Sequence, residues 1–322
     1  AVPVEELSDV RTLKTRLAGL CHVPRFRQKL LSDGTSLTDW SVLDKPMDLQ
    51  LVLLPFGYAS STQATELVNM ASSGRDSEVE ELLHERLDPD ITHNRGEAAL
   101  FAASRKGRAS TVKLLLEAKA CTDKVSERNR LGTALNVACF AGHSGVTQLL
   151  LEARAEVQKV PGHGELPLNL ACFKGSAEVV RHLLEAKADK DACGQQGFTP
   201  LLEACSRGNM SVVRLLLESR ANVDKVCCSD DVSYGETPLY VAARSGYVEV
   251  VRLLLQAGAD TEKICGMQGV TAADMARRKS RMQTWFLLLE ASARKNQLAG
   301  SCLKLMRSFL STLLSGWRAK RL

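Results

Sequence analysis

Apolar residues fall in pairs of short runs from about Glu66 to about Glu290, and each pair repeats the one before it. Aligned on a shared leucine, the first runs read GEAALFAASRKG from Gly96, LGTALNVACFAG from Leu131, GELPLNLACFKG from Gly164, GFTPLLEACSRG from Gly197 and GETPLYVAARSG from Gly235. The shared residues are Leu100, Leu135, Leu168, Leu201 and Leu239, spaced 35, 33, 33 and 38 apart. Second runs follow: VKLLLEAKA, TQLLLEARA, VRHLLEAKA, VRLLLESRA and VRLLLQAGA. The first runs predict short helices, opened by Thr or Pro, which cap or tolerate a helix start. They close at Gly107, Gly142, Gly175, Gly208 and Gly246. The second runs place Val112, Leu115, Leu116 and their counterparts on one helix face. One such pair cannot bury its apolar stripe alone, so the pairs must stack on one another. Weaker copies begin at Thr65 and Gly269, which brings the array to about seven units.

These motifs resemble the ankyrin repeat, most closely in GETPLYVAARSGYVEVVRLLLQAGAD from Gly235 to Asp260. The expected fold class is mainly α: an ankyrin-repeat solenoid of about seven helix pairs, preceded by a small α+β ubiquitin-like domain. Two departures stand out. The family's His after the shared leucine is replaced by Phe101, Asn136, Asn169, Leu202 and Tyr240, which puts the family's Thr–His hydrogen bond in question. Its Gly after the second helix is replaced by Lys119, Arg154, Lys187 and Arg220. If these take positive φ, each costs about 1 kcal/mol, partly offset by a cation at a helix C-terminus.

Residues 1–56 follow another pattern. Strand-like AVPVEEL precedes helix-like SDVRTLKTRLAGL, with Ser8 as the expected N-cap, then PRFRQKLLSDGTSL and an apolar strand, LQLVLLPF. The order resembles the ubiquitin-like β-grasp fold, and the stretches that carry the match are RQKLLSDG and DLQLVLL. The family's first strand has no counterpart after Ala1, so an open sheet is expected. The resemblance implies a recognition patch at Leu31 and Val52, with Lys29 and Gln50 beside it; alternatively these are plain sheet-face residues. Phe56-Gly57-Tyr58 stands where the family ends in Gly-Gly, so conjugation to a target is not expected. Residues 57–64 read as a linker, 65–291 as repeats with weaker terminal caps, and 292–322 as a basic amphipathic tail.

Charge sharpens this division. The 322 residues carry a formal net charge of +5, yet residues 292–322 hold seven basic side chains and no acidic one, so the rest is slightly acidic. A body without a basic block argues against nucleic-acid binding. The tail puts Cys302, Leu305, Met306, Phe309, Leu313 and Trp317 on helical spacing among Lys304, Arg307 and Arg318. Such a segment suits an anionic membrane surface or calmodulin, or else it caps the last repeat or stays disordered. Three of the ten cysteines, Cys139, Cys172 and Cys205, recur every 33 residues and read as small buried apolar residues. No Cys/His spacing argues for zinc, and cytoplasm or nucleus is the simplest setting. Adjacent Cys227 and Cys228 sit in the longest inter-repeat loop, a surface loop of the kind that contacts partners.

No catalytic motif is present, so no enzyme activity, cofactor or metal is expected. The expected function is a protein-binding scaffold or adaptor, monomeric, in ubiquitin-linked turnover by its domain pairing alone. The alternatives are a membrane- or calmodulin-associated scaffold and a non-catalytic fragment of a larger enzyme. The resemblance places partners in a concave groove, against the two residues before each first-helix Gly. Its candidate residues are Arg105, Phe140, Phe173, Lys174, Arg207 and Arg244, with Tyr240. An aromatic centre with a basic rim would suit apolar anchors with acidic flanks, unless the two phenylalanines pack inward. The helix-end glutamates Glu117, Glu152, Glu185 and Glu218 read as solvated stripes.

Overall fold

The computed structural model describes residues 9–43, 48–57, 60–126, 129, 131–160, 164–226, 235–265 and 269–295. The AVPVEEL stretch and Ser8, the Cys227–Cys228 loop, and the tail from residue 296 lie outside these. Contacts divide the chain into two compact units, residues 1–164 and 165–322.

The first unit opens with α1 (Val10–Cys21), a 3-10 turn at Arg25–Arg27, and strands β1 (Gln28–Ser32), β2 (Thr35–Ser36) and β3 (Leu49–Leu53). Asp9 caps α1 by accepting the Thr12 N–H at 2.7 Å. The antiparallel sheet runs β2-β1-β3, with Leu30 opposite Leu51. Strand alternation sends Leu30 inward against Val10 and Leu13 of α1, with Leu49 and Leu51 half-buried beside them.

Three helix pairs follow in this unit: α2 (Ser61–Ser73) with α3 (Asp76–His84), α4 (Ala99–Arg105) with α5 (Ala109–Glu117), and α6 (Ala134–Ala141) with α7 (Ser144–Glu152). First helices pack on first helices and second on second. α2 starts at Ser61, inside the stretch read as linker, because Ser60 and Gln63 form a capping box. The second unit holds four more pairs: α8 (Pro167–Lys174) with α9 (Ala177–Glu185), α10 (Pro200–Arg207) with α11 (Met210–Glu218), α12 (Pro238–Ser245) with α13 (Val248–Gln256), and α14 (Ala272–Arg278) with α15 (Met282–Lys295).

The first helices are almost wholly buried, which is why they are built from Ala, Cys and Leu. Cys139, Cys172 and Cys205 are fully buried free thiols. Burial pushes the Cys139 thiol up to about 12, so it acts as a small apolar filler and not as a nucleophile. Cys193, in a loop, is disulfide-bonded. Thr133, Thr199 and Thr237 cap α6, α10 and α12. The place of the family's His is taken by side chains with the same reach inward. Thr133 Oγ1 donates to Asn136 Oδ1 at 3.0 Å, and Asn169 Nδ2 donates to the Phe198 carbonyl at 2.7 Å.

Within each compact unit a carboxylate link joins consecutive repeats. Asp90 accepts the Cys121 N–H at 2.9 Å and Asp123 the Glu156 N–H at 2.9 Å; Asp191 accepts the Asn222 N–H at 2.8 Å and Asp224 the Asp260 N–H at 3.1 Å.

Helix ends carry strain where the family's Gly is absent. Lys119, Arg154 and Lys187 have φ 63°, Arg220 60° and Arg86 65°, while Gly258 keeps glycine at 88°. Lys187→Gly is expected to raise stability by up to about 1 kcal/mol, because relief of left-handed strain exceeds the loss of a cation at the α9 C-terminus. A thermal melt should shift up by about 2–4 °C; no shift or a fall would contradict the strain argument.

Candidate protein-binding face

The end of each first helix decides what the repeats can offer. Helical geometry brings the residue two before the terminating Gly out of the core, next to the hairpin of its own repeat. Phe140 is 42% exposed at this point of α6, and Phe173 is 38% exposed at the same point of α8. Neither is part of the core that the neighbouring leucines and cysteines form.

Arg105 and Arg244 at the equivalent positions, and Arg207 one residue further on, are not free cations. Arg105 Nη1 pairs with Glu97 at 2.9 Å, Arg207 Nε pairs with Glu203 at 3.4 Å, and Arg244 pairs with Glu236. The expected basic rim is therefore corrected to a rim of ion pairs. The physical reason is local: Glu97 and Glu236 each sit eight residues before their arginine, just ahead of the first helix that carries it. The same glutamate in the α8 repeat, Glu165, faces Phe173 in sequence instead of Arg. It accepts the backbone N–H groups of Gln195 and Gln196 at 3.2 and 3.0 Å, bracing the next hairpin. Burial raises the Glu203 carboxyl above its ordinary value, and Arg207 partly counters this.

Within the second unit the Arg207 guanidinium lies 3.8 Å over the Phe173 ring, close enough for a cation–π contact. Lys174 beside it is exposed. Tyr240, expected among the groove residues, is only 3% exposed. It occupies the position after the shared leucine, and Phe101, Asn136, Asn169 and Leu202 at that position are buried too. That position points between helices, so Tyr240 belongs to the core.

In the front module, Lys29 pairs across the sheet with Val52, and Leu31 with Gln50. Alternation puts all four on the sheet face opposite Leu30 and Leu51, with Lys29 and Gln50 exposed and Leu31 and Val52 half-buried.

One cluster was not visible in the sequence. Arg25 is 1% exposed. Its three guanidinium nitrogens reach Asp39 at 2.9 Å, Glu80 of α3 at 2.7 Å and Glu117 of α5 at 3.2 Å. Lys14 holds the other oxygen of Asp39 at 2.7 Å, and Arg11 pairs with Glu80 at 3.3 Å. Glu117, read as part of a solvated stripe, is thus a buried-cluster ligand. Asp39, Glu80 and His84 bring three metal-ligand atoms within 4.8 Å of one another. Arg25, Lys14 and Arg11 together already balance Asp39, Glu80 and Glu117, so the cluster is built around protein cations.

His84 lies 3.5 Å from Asp39 and meets the Phe26 ring edge-on at 5.1 Å. Burial holds its imidazole below the ordinary value of 6.5; Asp39 pulls the other way and Arg25 reinforces the lowering. A lowered base means the unfolded chain takes up the proton first as pH falls. The stabilising contribution is present above pH 6.5 and is lost as pH drops from there through the folded-state value. His84→Gln is expected to flatten the stability profile below pH 6.5. Urea midpoints measured across that range would contradict this if the variant and wild type kept the same slope.

The family of ankyrin repeats (3 copies) matches residues 67–161 and 168–265. The chain belongs to the ankyrin repeat family. It is similar to the human ASB11 ankyrin repeat domain, known from a crystal structure, at 30% identity and a TM-score of 0.61. That match covers 69% of this chain and 96% of the other. Comparison with curated proteins finds no match. Ankyrin repeats form a protein-interaction module, a binding scaffold that is generally non-catalytic. No described helix is long and apolar enough to cross a membrane.

Proposed function

We propose that this chain is an adaptor that captures a protein partner on the first-helix and hairpin face of its ankyrin repeats. The exposure of Phe140 and Phe173, at equivalent points of two first helices whose preceding residues are buried, carries this reading. Phe173 offers apolar area beside the Glu203–Arg207 ion pair, the combination that favours a buried anchor within a hydrogen-bonding rim. The partner segment therefore presents apolar side chains with polar flanks. An acidic flank gains from Lys174 and must compete with Glu203 for Arg207.

The front module is read as a ubiquitin-like element whose Lys29, Leu31, Gln50 and Val52 face serves a second partner. Its helix packed on an antiparallel sheet, with the four residues on one outward face, supports that reading. A turnover adaptor in the cytoplasm or nucleus follows from pairing such an element with a binding solenoid. Affinity capture with the wild-type chain and a Phe140→Ala/Phe173→Ala variant tests the groove assignment. Proteins lost from the variant identify the partner, and an unchanged set of captured proteins would refute it.

A further inference from the structure

The front module is a small fold. Among its described residues the buried apolar core is Val10, Leu13 and Leu30, with Phe26 buried beside Arg25, and the β2 strand is two residues long. Leu49 and Leu51 on β3 remain half-exposed. A three-stranded sheet with one helix and so little buried area is marginal by itself. Yet the module holds a fully buried arginine whose charge is met by carboxylates from three places: Asp39 in the module, Glu80 on α3 and Glu117 on α5. Phe26 lies 3.9 Å under the same guanidinium. The Gly57 N–H donates to the Arg86 carbonyl at 2.9 Å, a second tie to the first repeat.

We propose that Arg25 is the latch that makes the front module and the first two repeats one folding unit, fixing the angle at which the module's sheet face is presented. A guanidinium has a rigid fork that can satisfy three carboxylates in one orientation only, whereas an ammonium is a point charge. A desolvated ion cluster of this kind contributes more to geometry than to net stability. The cluster covers the second-helix side of α3 and α5. Arg25 is a positioning residue, and its role stands whether or not the groove binds the partner proposed above.

The test is hydrogen–deuterium exchange on the full chain, comparing wild type with Arg25→Lys, Arg25→Met and Glu117→Gln. Exchange of the β1 and β3 amides is expected to rise by about tenfold or more in both Arg25 variants, with α9 to α13 unchanged. Lysine is expected to fail as a substitute because it cannot serve three carboxylates. Glu117→Gln, which removes the α5 charge and leaves Asp39 and Glu80 engaged, should give a smaller rise confined to the same strands. If the Arg25 variants do not fold, Glu117→Gln alone decides. Unchanged β1 and β3 exchange in the variants that fold, or full rescue by lysine, would overturn the latch.

Discussion

Gly175→Val is expected to destabilise the second unit by about 2–4 kcal/mol, for two separable reasons. The residue has φ 81°, a left-handed conformation at the end of α8 that costs a β-branched side chain about 1–2 kcal/mol or more. The space is also taken. A Cβ on Gly175 would lie 2.7–2.8 Å from the side-chain atoms of Asn209, which belongs to the next repeat. Asn209 Nδ2 donates to the Cys172 carbonyl at 3.0 Å, so it cannot swing away without losing a hydrogen bond worth about 1 kcal/mol. Urea unfolding separates the two terms. Gly175→Ala should cost less in an Asn209→Ala background than in wild type, because only the backbone strain then remains. Equal costs in both backgrounds would mean that the contact between repeats contributes nothing.

The second large effect is on binding. Phe140→Ala/Phe173→Ala is expected to weaken partner capture by about 10²–10³-fold, if each ring is an anchor worth about 2 kcal/mol. Folding should be nearly untouched. Both rings are more than a third exposed, so truncation should cost far less than at a core phenylalanine. Arg207 loses its stacking partner at Phe173 but keeps Glu203. Lys174→Glu should act more weakly and in a salt-dependent manner, since it alters an exposed charge.

The seven helix pairs were legible because each repeats one apolar pattern between a Thr or Pro start and a Gly stop. The left-handed helix ends were legible for the same reason: Lys119, Arg154, Lys187 and Arg220 stand where the pattern wants glycine. The charges of the binding face were not. Glu97–Arg105 and Glu236–Arg244 lie eight apart, across the start of the first helix and two helical turns, where neither helix nor strand periodicity pairs them. Their recurrence at equivalent positions was the available signal. Tyr240 was misplaced because the residue after the shared leucine varies from Phe to Asn to Tyr. Variation there reflects different ways of filling the same buried gap, and not surface freedom. Arg25 gave no local signal, since its carboxylates are 14, 55 and 92 positions away. The carboxylate links between repeats were not read from the sequence, although Asp90 and Asp123, like Asp191 and Asp224, recur 33 residues apart.

The central claim is that the first-helix and hairpin face of the ankyrin repeats binds protein. Calorimetric titration of the captured partner onto wild type and Phe140→Ala/Phe173→Ala, alongside thermal melts of both chains, tests it most directly. Affinity is expected to fall by about 10²-fold or more while the melting temperature changes little. Equal affinity in the two chains, or a loss of affinity that merely follows unfolding, would contradict it.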